Sequence, residues 1–585
     1  MGWSGGTAAR PGRTTRGGRH RLAPIAALLT ALAVAGCSNA PPPPLVSSPV
    51  ARTTPTKASE LNQIVVGMDS VVGGYNPHTL ADQSTVTTAL SSLLLPSVFR
   101  IAPDGNPQLD TTLMLSAQVT KTEPYTVSYT LRREAAWSDS APIAAEDFVY
   151  LWQHMRSEPG VVDPAGYRLI SNIASRDSGK TVEVSFAKPY PGWRSLFGGL
   201  MPAHLLKDAP GGWPAVLADS FPATGGPFAV RTLDRDRGEI QLERNDRYWD
   251  KPVPLDRVVL RKADPRQTAD ALGNGDNQAA VVWADAIAVN LINSAKAPLT
   301  VKPVPRPEVA RLVLRPVSPR LTDLRVRSAI VAALDRNSLI AVGTGNGPSA
   351  QLRADAQVAF PSRSGYAATI PQGAPPAAQD LAAVDRLMTE AGYARLDGLW
   401  AKDGKVLTLN LAVQSDRVPY ASLAAQVQHQ LAAVGIQAKL NAVSGDQLYG
   451  QQLARTQADN GVDGDGSVDL AVVPSVDAGD PAALLATEFG CRAALPDAST
   501  QVPGNLSGSC DQALQPTIDA ALTGEMLLSD ALAKVEPVLW QQAVSVPLFQ
   551  IADLLAVRQD VSGVDTGAPL AGVFSGAPNW RRANR

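Results

Sequence analysis

The chain has 585 residues, of which 52 are basic and 54 acidic, so the formal charge is −2, and 45% of the residues are hydrophobic. This length is sufficient for two or three domains with their own cores. The balanced charge provides no basic surface for a phosphate backbone, so nucleic acid is not an expected partner. No apolar run of 18 residues follows residue 36, so no membrane span is predicted there.

The first 36 residues are organised like an export signal. Five arginines and no acidic residue lie within residues 1–21, and an apolar run follows over residues 22–36. The run ends in VAGC at residues 34–37, which resembles a lipobox. We therefore predict that residues 1–36 are a lipoprotein signal peptide and that lipid on Cys37 anchors the protein to the extracytoplasmic face of the cell membrane. A plain secretory signal with an incidental cysteine, or an uncleaved anchor, is the alternative.

Residues 37–60 are predicted to form a tether behind the lipidated cysteine. Their content of Pro, Ser and Thr cannot build a core and favours extended, polyproline-like conformations. At about 3.1 Å per residue, such a tether reaches on the order of 70 Å. Signal cleavage removes five arginines and no acid, which leaves 47 basic and 54 acidic residues and a formal charge of −7.

Two cysteines, Cys491 and Cys510, remain after Cys37 is assigned to the lipid. In an exported protein they most simply pair with each other, and the closed loop is expected to stabilise the fold by about 3 kcal/mol. Two free buried thiols are the alternative. No CxxC pair occurs and no histidine lies close in sequence to either cysteine, so a metal site is not predicted.

Strand-like and helix-like segments alternate along the body of the chain. The most informative segment is residues 131–155, in which a strand end and a polar turn lead into a helix predicted to open on Pro142. Glu146 and Asp147 then lie at the positive end of the helix dipole. Further strands are predicted at 64–68, 125–131, 182–186, 436–440 and 468–473, and further helices at 381–392 and 421–434.

Several ordered blocks resemble the family 5 extracytoplasmic solute-binding proteins, the oligopeptide- and dipeptide-binding class. The blocks are LRREAAWSDSAPIAAEDFVYLWQHM (131–155), TGGPF (224–228), ERNDRYW (243–249), PRLTDLRVRSAIVAALDR (319–336) and PSVDAGDP (474–481). The resemblance implies an α/β protein of the type II, two-lobed periplasmic-binding kind, built from three sequence segments, with a hinged cleft that closes on a ligand.

The same resemblance implies how the chain is divided between the lobes. Lobe I is expected to contain residues 61–105, an accessory subdomain over 106–205, a returning part over 206–305 and a closing segment over 536–585, and lobe II is expected to contain residues 306–535.

Three residues are candidates for ligand contact. In peptide-binding members of the family, an aspartate in the block that aligns with PSVDAGDP receives the free α-amino group of the ligand, and Asp477 falls on that position. Pro474 and Ala478 replace the aromatic residues that flank it, so part of the peptide cradle is missing. Trp283 follows a short predicted strand and could stack on a sugar or an apolar side chain, and Tyr75 lies in a turn that corresponds to the cleft lip. Core packing is the alternative for Trp283 and Tyr75.

No catalytic, cofactor or metal site is predicted. Residues 459–469, DNGVDGDGSVD, suggest calcium, but Val468 and Pro474 stand where an EF-hand loop requires Gly and Glu. His204 has no accompanying nucleophile motif and is interpreted as structural. GxSxG is absent after the signal, as are HExxH and Walker motifs. The sequence therefore predicts a monomeric binding protein rather than an enzyme.

Two ligand hypotheses follow from resemblance within the family. The segments YNPHT (75–79), PGVVDPAGY (159–167), KPYPGW (188–193) and RNDRYW (244–249) resemble lipoproteins connected with cell-envelope mannolipid synthesis. This implies binding of monoacyl phosphatidylinositol tetramannoside, or of a membrane mannosyltransferase, at the branch between phosphatidylinositol mannosides and lipomannan or lipoarabinomannan. The other hypothesis is the receptor of a peptide- or nickel-type ABC importer, with a permease as partner.

Overall fold

The structure is a computed structural model that describes residues 61–454, 467–491 and 504–583. The signal peptide, Cys37, the tether and most of the acidic stretch 459–469 lie outside the described residues, so the predictions made for them stay predictions. Within the described ranges, no helix has the length and apolarity needed to cross a membrane.

The strands are numbered in chain order. In the first half of the chain they are β1 (Gln63–Met68), β2 (Phe99–Ile101), β3 (Pro107–Leu109), β4 (Met114–Thr122), β5 (Tyr125–Leu131), β6 (Ile170–Arg176), β7 (Thr181–Phe186), β8 (Phe228–Asp234), β9 (Glu239–Arg244), β10 (Arg257–Lys262) and β11 (Ala279–Trp283). They continue with β12 (Leu299–Leu314), β13 (Ala394–Leu396), β14 (Leu399–Lys402), β15 (Lys405–Val406), β16 (Thr408–Gln414), β17 (Gln437–Val443), β18 (Leu470–Val476), β19 (Ser545–Arg558), β20 (Val561–Ser562) and β21 (Arg581–Arg582).

The α-helices connect these strands. They are α1 (Thr85–Leu94), α2 (Ala145–Ser157), α3 (Ala165–Arg168), α4 (Ala203–Leu206), α5 (Pro265–Asn274), α6 (Ala286–Asn293), α7 (Leu324–Ala333), α8 (Arg336–Thr344), α9 (Leu381–Glu390), α10 (Tyr420–Ala433), α11 (Pro481–Phe489), α12 (Gln515–Thr523) and α13 (Leu528–Gln542). A short π-helix covers Asp446–Gln452.

One ten-stranded sheet runs through both lobes, in the order β17-β16-β18-β12-β19-β11-β1-β10-β9-β8. The long strands β12 and β19 pair antiparallel and belong to both halves of the sheet, because β19 also pairs with β11 and β12 also pairs with β18. We use lobe I for the half with β1 and β8–β11, and lobe II for the half with β16–β18. Two strands therefore pass from one lobe to the other within a shared sheet.

The β12–β19 pairing changes register where the lobes meet, between Pro305 and Val309. Prolines have no N–H to donate to a neighbouring strand, so the run Pro303-Val304-Pro305-Arg306-Pro307 weakens the ladder at this point. We call residues 303–308 with residues 550–553 of β19 the hinge strands. A buried ion pair braces them, in which Arg306 Nε donates to Asp553 Oδ2 at 2.9 Å and a second guanidinium nitrogen contacts Oδ1.

A separate four-stranded antiparallel sheet, β4-β5-β7-β6, supports the helix of the 131–155 block. The helix begins at Ala145, so the prediction that it opens on Pro142 is wrong. Pro142 is instead held in an extended bridge to Ala136. The side chain of Asp147 sets the start of the helix, because Oδ2 accepts the Ala144 N–H at 2.9 Å and Oδ1 accepts the Ala203 N–H at 2.9 Å.

Several other sequence-based elements are confirmed with small changes at their ends. Strand β5 has the predicted bounds, and α10 differs from the predicted helix by one residue at each end. Strand β18 begins later than predicted and extends through Pro474 to Val476, which brings Asp477 to the end of the strand. Cys491 and Cys510 are joined by a disulfide that links the end of α11 to the segment preceding α12.

The TGGPF and ERNDRYW blocks meet in the structure, where Asn245 Nδ2 donates to the Gly226 carbonyl at 2.9 Å. A Cβ on Gly226 would lie 2.2 Å from the Leu93 carbonyl oxygen, whereas a Cβ on Gly225 would lie 3.0 Å from the ring of Pro96. Because the Leu93 oxygen is backbone in α1, it cannot rotate away.

We expect Gly226→Ala to lower the free energy of unfolding by about 3 kcal/mol or more, and Gly225→Ala by about 1 kcal/mol, in urea titrations followed by circular dichroism. The two variants add the same methyl group at adjacent positions, so the effect of Gly→Ala on the conformational freedom of the unfolded chain is the same in both. Equal losses for the two variants would contradict the steric explanation.

Candidate functional site

Three neighbouring cavities lie along the cleft behind the hinge strands. The hinge chamber, of about 50 Å³, lies between the start of α1, the hinge strands and residues 570–574. The middle chamber, of about 40 Å³, lies between residues 160–163 and the lobe II residues of β18 and α11. The polar chamber, of about 280 Å³, lies between α1, the accessory region and Ala478. Adjacent chambers share wall residues, so they lie side by side between the lobes.

Hydrogen bonds join the two lobes across the cleft. Tyr190, which follows β7, donates its hydroxyl to Asp480 Oδ2 at 2.7 Å. Thr487 of α11 donates its hydroxyl to Asp163 Oδ1 at 2.8 Å. These bonds fix helix α11 of lobe II to the region around the accessory sheet, so the structure represents a closed arrangement of the lobes.

The polar chamber presents mainly hydroxyl groups. Its hydrogen-bonding side chains are His78, Ser91, Ser97, Asp163, Tyr167, Tyr190 and Ser195. Burial, reinforced by the nearby Asp480, Asp477 and Glu488, raises the pKa of Asp163 well above its usual range. The chamber therefore favours Asp163 in its neutral form, which can both donate and accept.

His78 is neutral for the same physical reason. Burial lowers the pKa of His78 to about 4, and its Nε2 lies 2.9 Å from the Gly199 carbonyl oxygen. A neutral carboxyl, a neutral imidazole and five hydroxyls are suited to a ligand with many hydroxyl groups, because each can exchange hydrogen bonds without burying a net charge.

Asp477 is placed next to the hinge but is already paired. Its backbone N–H donates to the Pro307 carbonyl at 3.0 Å, and Oδ1 accepts the Gly479 N–H at 2.8 Å. Oδ2 accepts Arg363 Nε at 2.5 Å, from the segment between α8 and α9. The Asp477 side chain is 1% exposed and that of Arg363 27%. A guanidinium of the protein thus already pairs with this carboxylate.

The two small residues that flank Asp477 both line chambers. Pro474 contributes to the wall of the middle chamber and Ala478 to the wall of the polar chamber. Both side chains are small, so neither fills the chamber that it lines.

The other two candidates lie away from the chambers. Tyr75 is fully buried, and its hydroxyl donates to the Val71 carbonyl at 2.7 Å. Trp283 ends β11, is partly buried and packs against the lobe II core. Neither residue lines any of the three chambers, and Asp477 does not line them either. The structure does not bring the three candidates together, and their ligand contacts stay predictions.

No role could be assigned from the sequence to the residues that close the cleft. Asp163 and Tyr190 lie within the segments PGVVDPAGY and KPYPGW, which were recognised as distinctive, so their positions were signalled but their roles were not. Arg363 had no signal at all, because its partner Asp477 is 114 residues away in sequence.

Two further possibilities, apart from the cleft, are a role for His204 and a metal site. His204 Nε2 lies 2.7 Å from Asp139 Oδ2 near the outer surface, with no nucleophile between them. Among the residues that the structure describes, no cluster of three or more His, Cys, Asp or Glu side chains could hold a metal ion.

The sequence pattern described as "Bacterial extracellular solute-binding proteins, family 5 Middle" matches residues 113–489. The chain belongs to this family. Its members are extracellular proteins that bind solutes. The match confirms the family predicted from the sequence blocks.

Two relatives of this family 5 protein cover most of its length. It is 36% identical to the probable monoacyl phosphatidylinositol tetramannoside-binding protein LpqW of Mycobacterium tuberculosis, over 94% of this chain and 96% of LpqW. It is 26% identical to the oligopeptide-binding protein OppA of Mycobacterium bovis, over 81% of this chain and 77% of OppA.

Solved structures share its fold. The oligopeptide-binding protein AppA from Bacillus subtilis, in complex with a nonapeptide, superposes with a TM-score of 0.69 at 17% identity, over 90% of this chain and all of AppA. At this identity the likeness concerns the fold alone. It confirms the predicted two-lobed α/β architecture of the type II, peptide-binding class.

Proposed function

We propose that this family 5 protein binds a mannosylated phosphatidylinositol, of the monoacyl tetramannoside kind named for LpqW, and does not capture peptides by their amino end. The observation that carries the proposal is the Arg363–Asp477 pair, with Nε and Oδ2 2.5 Å apart. A peptide ammonium would have to displace a guanidinium from a carboxylate whose side chain is 1% exposed. Removing one partner from a buried pair is strongly unfavourable.

The polar chamber supports the same proposal. Its wall supplies hydroxyl groups, neutral His78 and a carboxyl whose pKa is raised, all of which can bond to sugar hydroxyls. The small side chains of Pro474 and Ala478 line the adjoining walls and do not fill this space. The glycan would then touch both lobes and favour the closed arrangement over the open one.

The cellular role follows from the proposed ligand and the predicted anchor. A protein held by lipid on Cys37 would meet membrane mannolipids on the extracytoplasmic face. By binding monoacyl phosphatidylinositol tetramannoside, or by presenting it to a mannosyltransferase, it would regulate the branch between phosphatidylinositol mannosides and lipomannan or lipoarabinomannan.

The second candidate is the receptor of a peptide-type ABC importer. The fold shared with AppA and the position of Asp477 favour it. This function requires Arg363 to leave Asp477 when a peptide arrives.

The deciding experiment uses residues 37–585 with Cys37→Ser, which removes the lipid, in isothermal titration and native mass spectrometry. The probes are purified monoacyl phosphatidylinositol tetramannoside and a library of peptides of two to nine residues. We expect saturable binding of the mannolipid that Asp163→Ala weakens at least tenfold, and no peptide binding. Micromolar peptide binding that Asp477→Ala abolishes would overturn the proposal in favour of import.

A further inference from the structure

The hinge chamber differs from the polar chamber in the chemistry of its surface. Its wall is mostly carbon, contributed by Val281, Val304, Pro305, Pro307, Val476 and Val573. These residues come from β11, the hinge strands, the end of β18 and the C-terminal segment. The chamber is thus an apolar space built at the pivot between the lobes.

The charged residues that reach this chamber already have hydrogen-bonding partners in the protein. Asp553 binds Arg306 and also accepts the Thr85 hydroxyl at 2.8 Å. Glu308 accepts Arg417 Nη2 at 2.7 Å. Because these groups already form hydrogen bonds with the protein, the chamber offers few free polar atoms to an occupant. A water molecule in the chamber would therefore form few hydrogen bonds with its wall.

The hinge chamber adjoins the polar chamber. Leu570 lines both spaces. Helix α1 runs beside both, with Thr88 in the wall of the hinge chamber and Ser91 in the wall of the polar chamber. Three residues along a helix correspond to about 4.5 Å, so one molecule with an apolar part and a hydroxyl-rich part could occupy both chambers.

We propose that the hinge chamber is a binding site for a single alkyl or acyl chain whose glycan lies in the polar chamber. This inference rests on the proposed function and specifies which part of the ligand each chamber takes. Since Val476 and Pro307 belong to the lobe II side and Thr85 and Val573 to the lobe I side, an enclosed chain contacts both lobes and stabilises the closed form. Binding of the acyl chain therefore contributes to closure of the lobes.

The test measures the affinity of n-alkyl α-mannosides of increasing chain length, each below its critical micelle concentration, for residues 37–585 with Cys37→Ser. Each methylene that enters the chamber is expected to raise the affinity about fourfold, until the chamber is full and the affinity becomes constant. Affinity that is independent of chain length, or that rises without a plateau as in unspecific partitioning, would overturn the inference.

Two variants on the same face of α1 provide the matched comparison. Thr88→Phe fills the hinge chamber and is expected to abolish the dependence on chain length while methyl mannoside still binds. Ser91→Phe is expected to weaken every mannoside and to keep the dependence on chain length. If Thr88→Phe does not fold, Thr88→Leu should move the plateau to a shorter chain. An unchanged plateau in the folded Thr88 variant would contradict the assignment.

A parallel titration separates failure of this inference from failure of the proposed function. Deacylated tetramannoside that binds as tightly as the acylated lipid would leave mannolipid binding intact and overturn the acyl site. An alkyl series that depends on Thr88, together with no binding of the tetramannoside lipid, would retain the acyl site and overturn the tetramannoside as ligand.

Discussion

Replacing Arg363 with alanine is expected to lower the free energy of unfolding by about 3 to 5 kcal/mol, because it leaves the Asp477 carboxylate buried without its cation. The measurement is urea denaturation at pH 7 followed by circular dichroism. Asp477→Asn should cost less, since Arg363 is 27% exposed and can turn to water, whereas the Asp477 side chain is 1% exposed.

The same variant tests the role of the pair in ligand choice. In Arg363→Ala the carboxylate of Asp477 is available to another cation, so methylammonium and short peptides should raise the melting temperature of the variant and leave that of the parent unchanged. The double variant Arg363→Ala, Asp477→Asn should not respond. A variant that is as stable as the parent and indifferent to ammonium ions would show that the pair neither stabilises the fold nor blocks the site.

Replacing Asp553 with alanine is expected to have an effect of similar size at the hinge. The variant leaves the Arg306 guanidinium, whose side chain is 18% exposed, without the carboxylate that binds two of its nitrogens. The free energy of unfolding should fall by about 3 to 5 kcal/mol in the same urea assay.

Two controls separate the ion pair from its surroundings. Thr85→Val removes the hydroxyl that bonds to Asp553 and keeps the charges, so a loss of about 1 kcal/mol is expected. Glu390→Ala breaks the exposed pair with Arg386, whose partners are 61% and 48% exposed, and should cost at most about 0.5 kcal/mol. A loss for Asp553→Ala no larger than that for Glu390→Ala would exclude a stabilising role of the hinge pair.

Both predictions concern the movement of the lobes as well as their stability. Asp477 donates its N–H to Pro307, and Arg306 precedes that proline, so the two ion pairs hold neighbouring parts of the hinge strands. A ligand that enters between the lobes would lie close to the polar chamber, the hinge chamber and the hinge strands. The two-lobed fold of the family is retained here.

The local sequence pattern and the resemblance to the family were sufficient to predict the architecture. Strand β5 alternates apolar and polar residues over its whole length, and glycine ends α10, so both elements could be located from local physics. The TGGPF block was recognised by its resemblance to the family, and Gly226 lies where a Cβ would meet the Leu93 carbonyl oxygen. The start of α2 was misplaced, because Asp147 and the Ala136–Pro142 bridge set it, and proline alone does not.

What the sequence by itself determined is the family, the two-lobed α/β architecture and the position of Asp477 after a strand. Those properties depend on neighbouring residues and on blocks in a fixed order. The tertiary structure decided which side chains line the cleft and which of them are already paired. Arg363 neutralises Asp477 from 114 residues away, Tyr190 bonds to Asp480 across 290 residues, and Thr487 bonds to Asp163 across 324. Such contacts depend on how distant segments pack, so no local pattern in the chain could have predicted them.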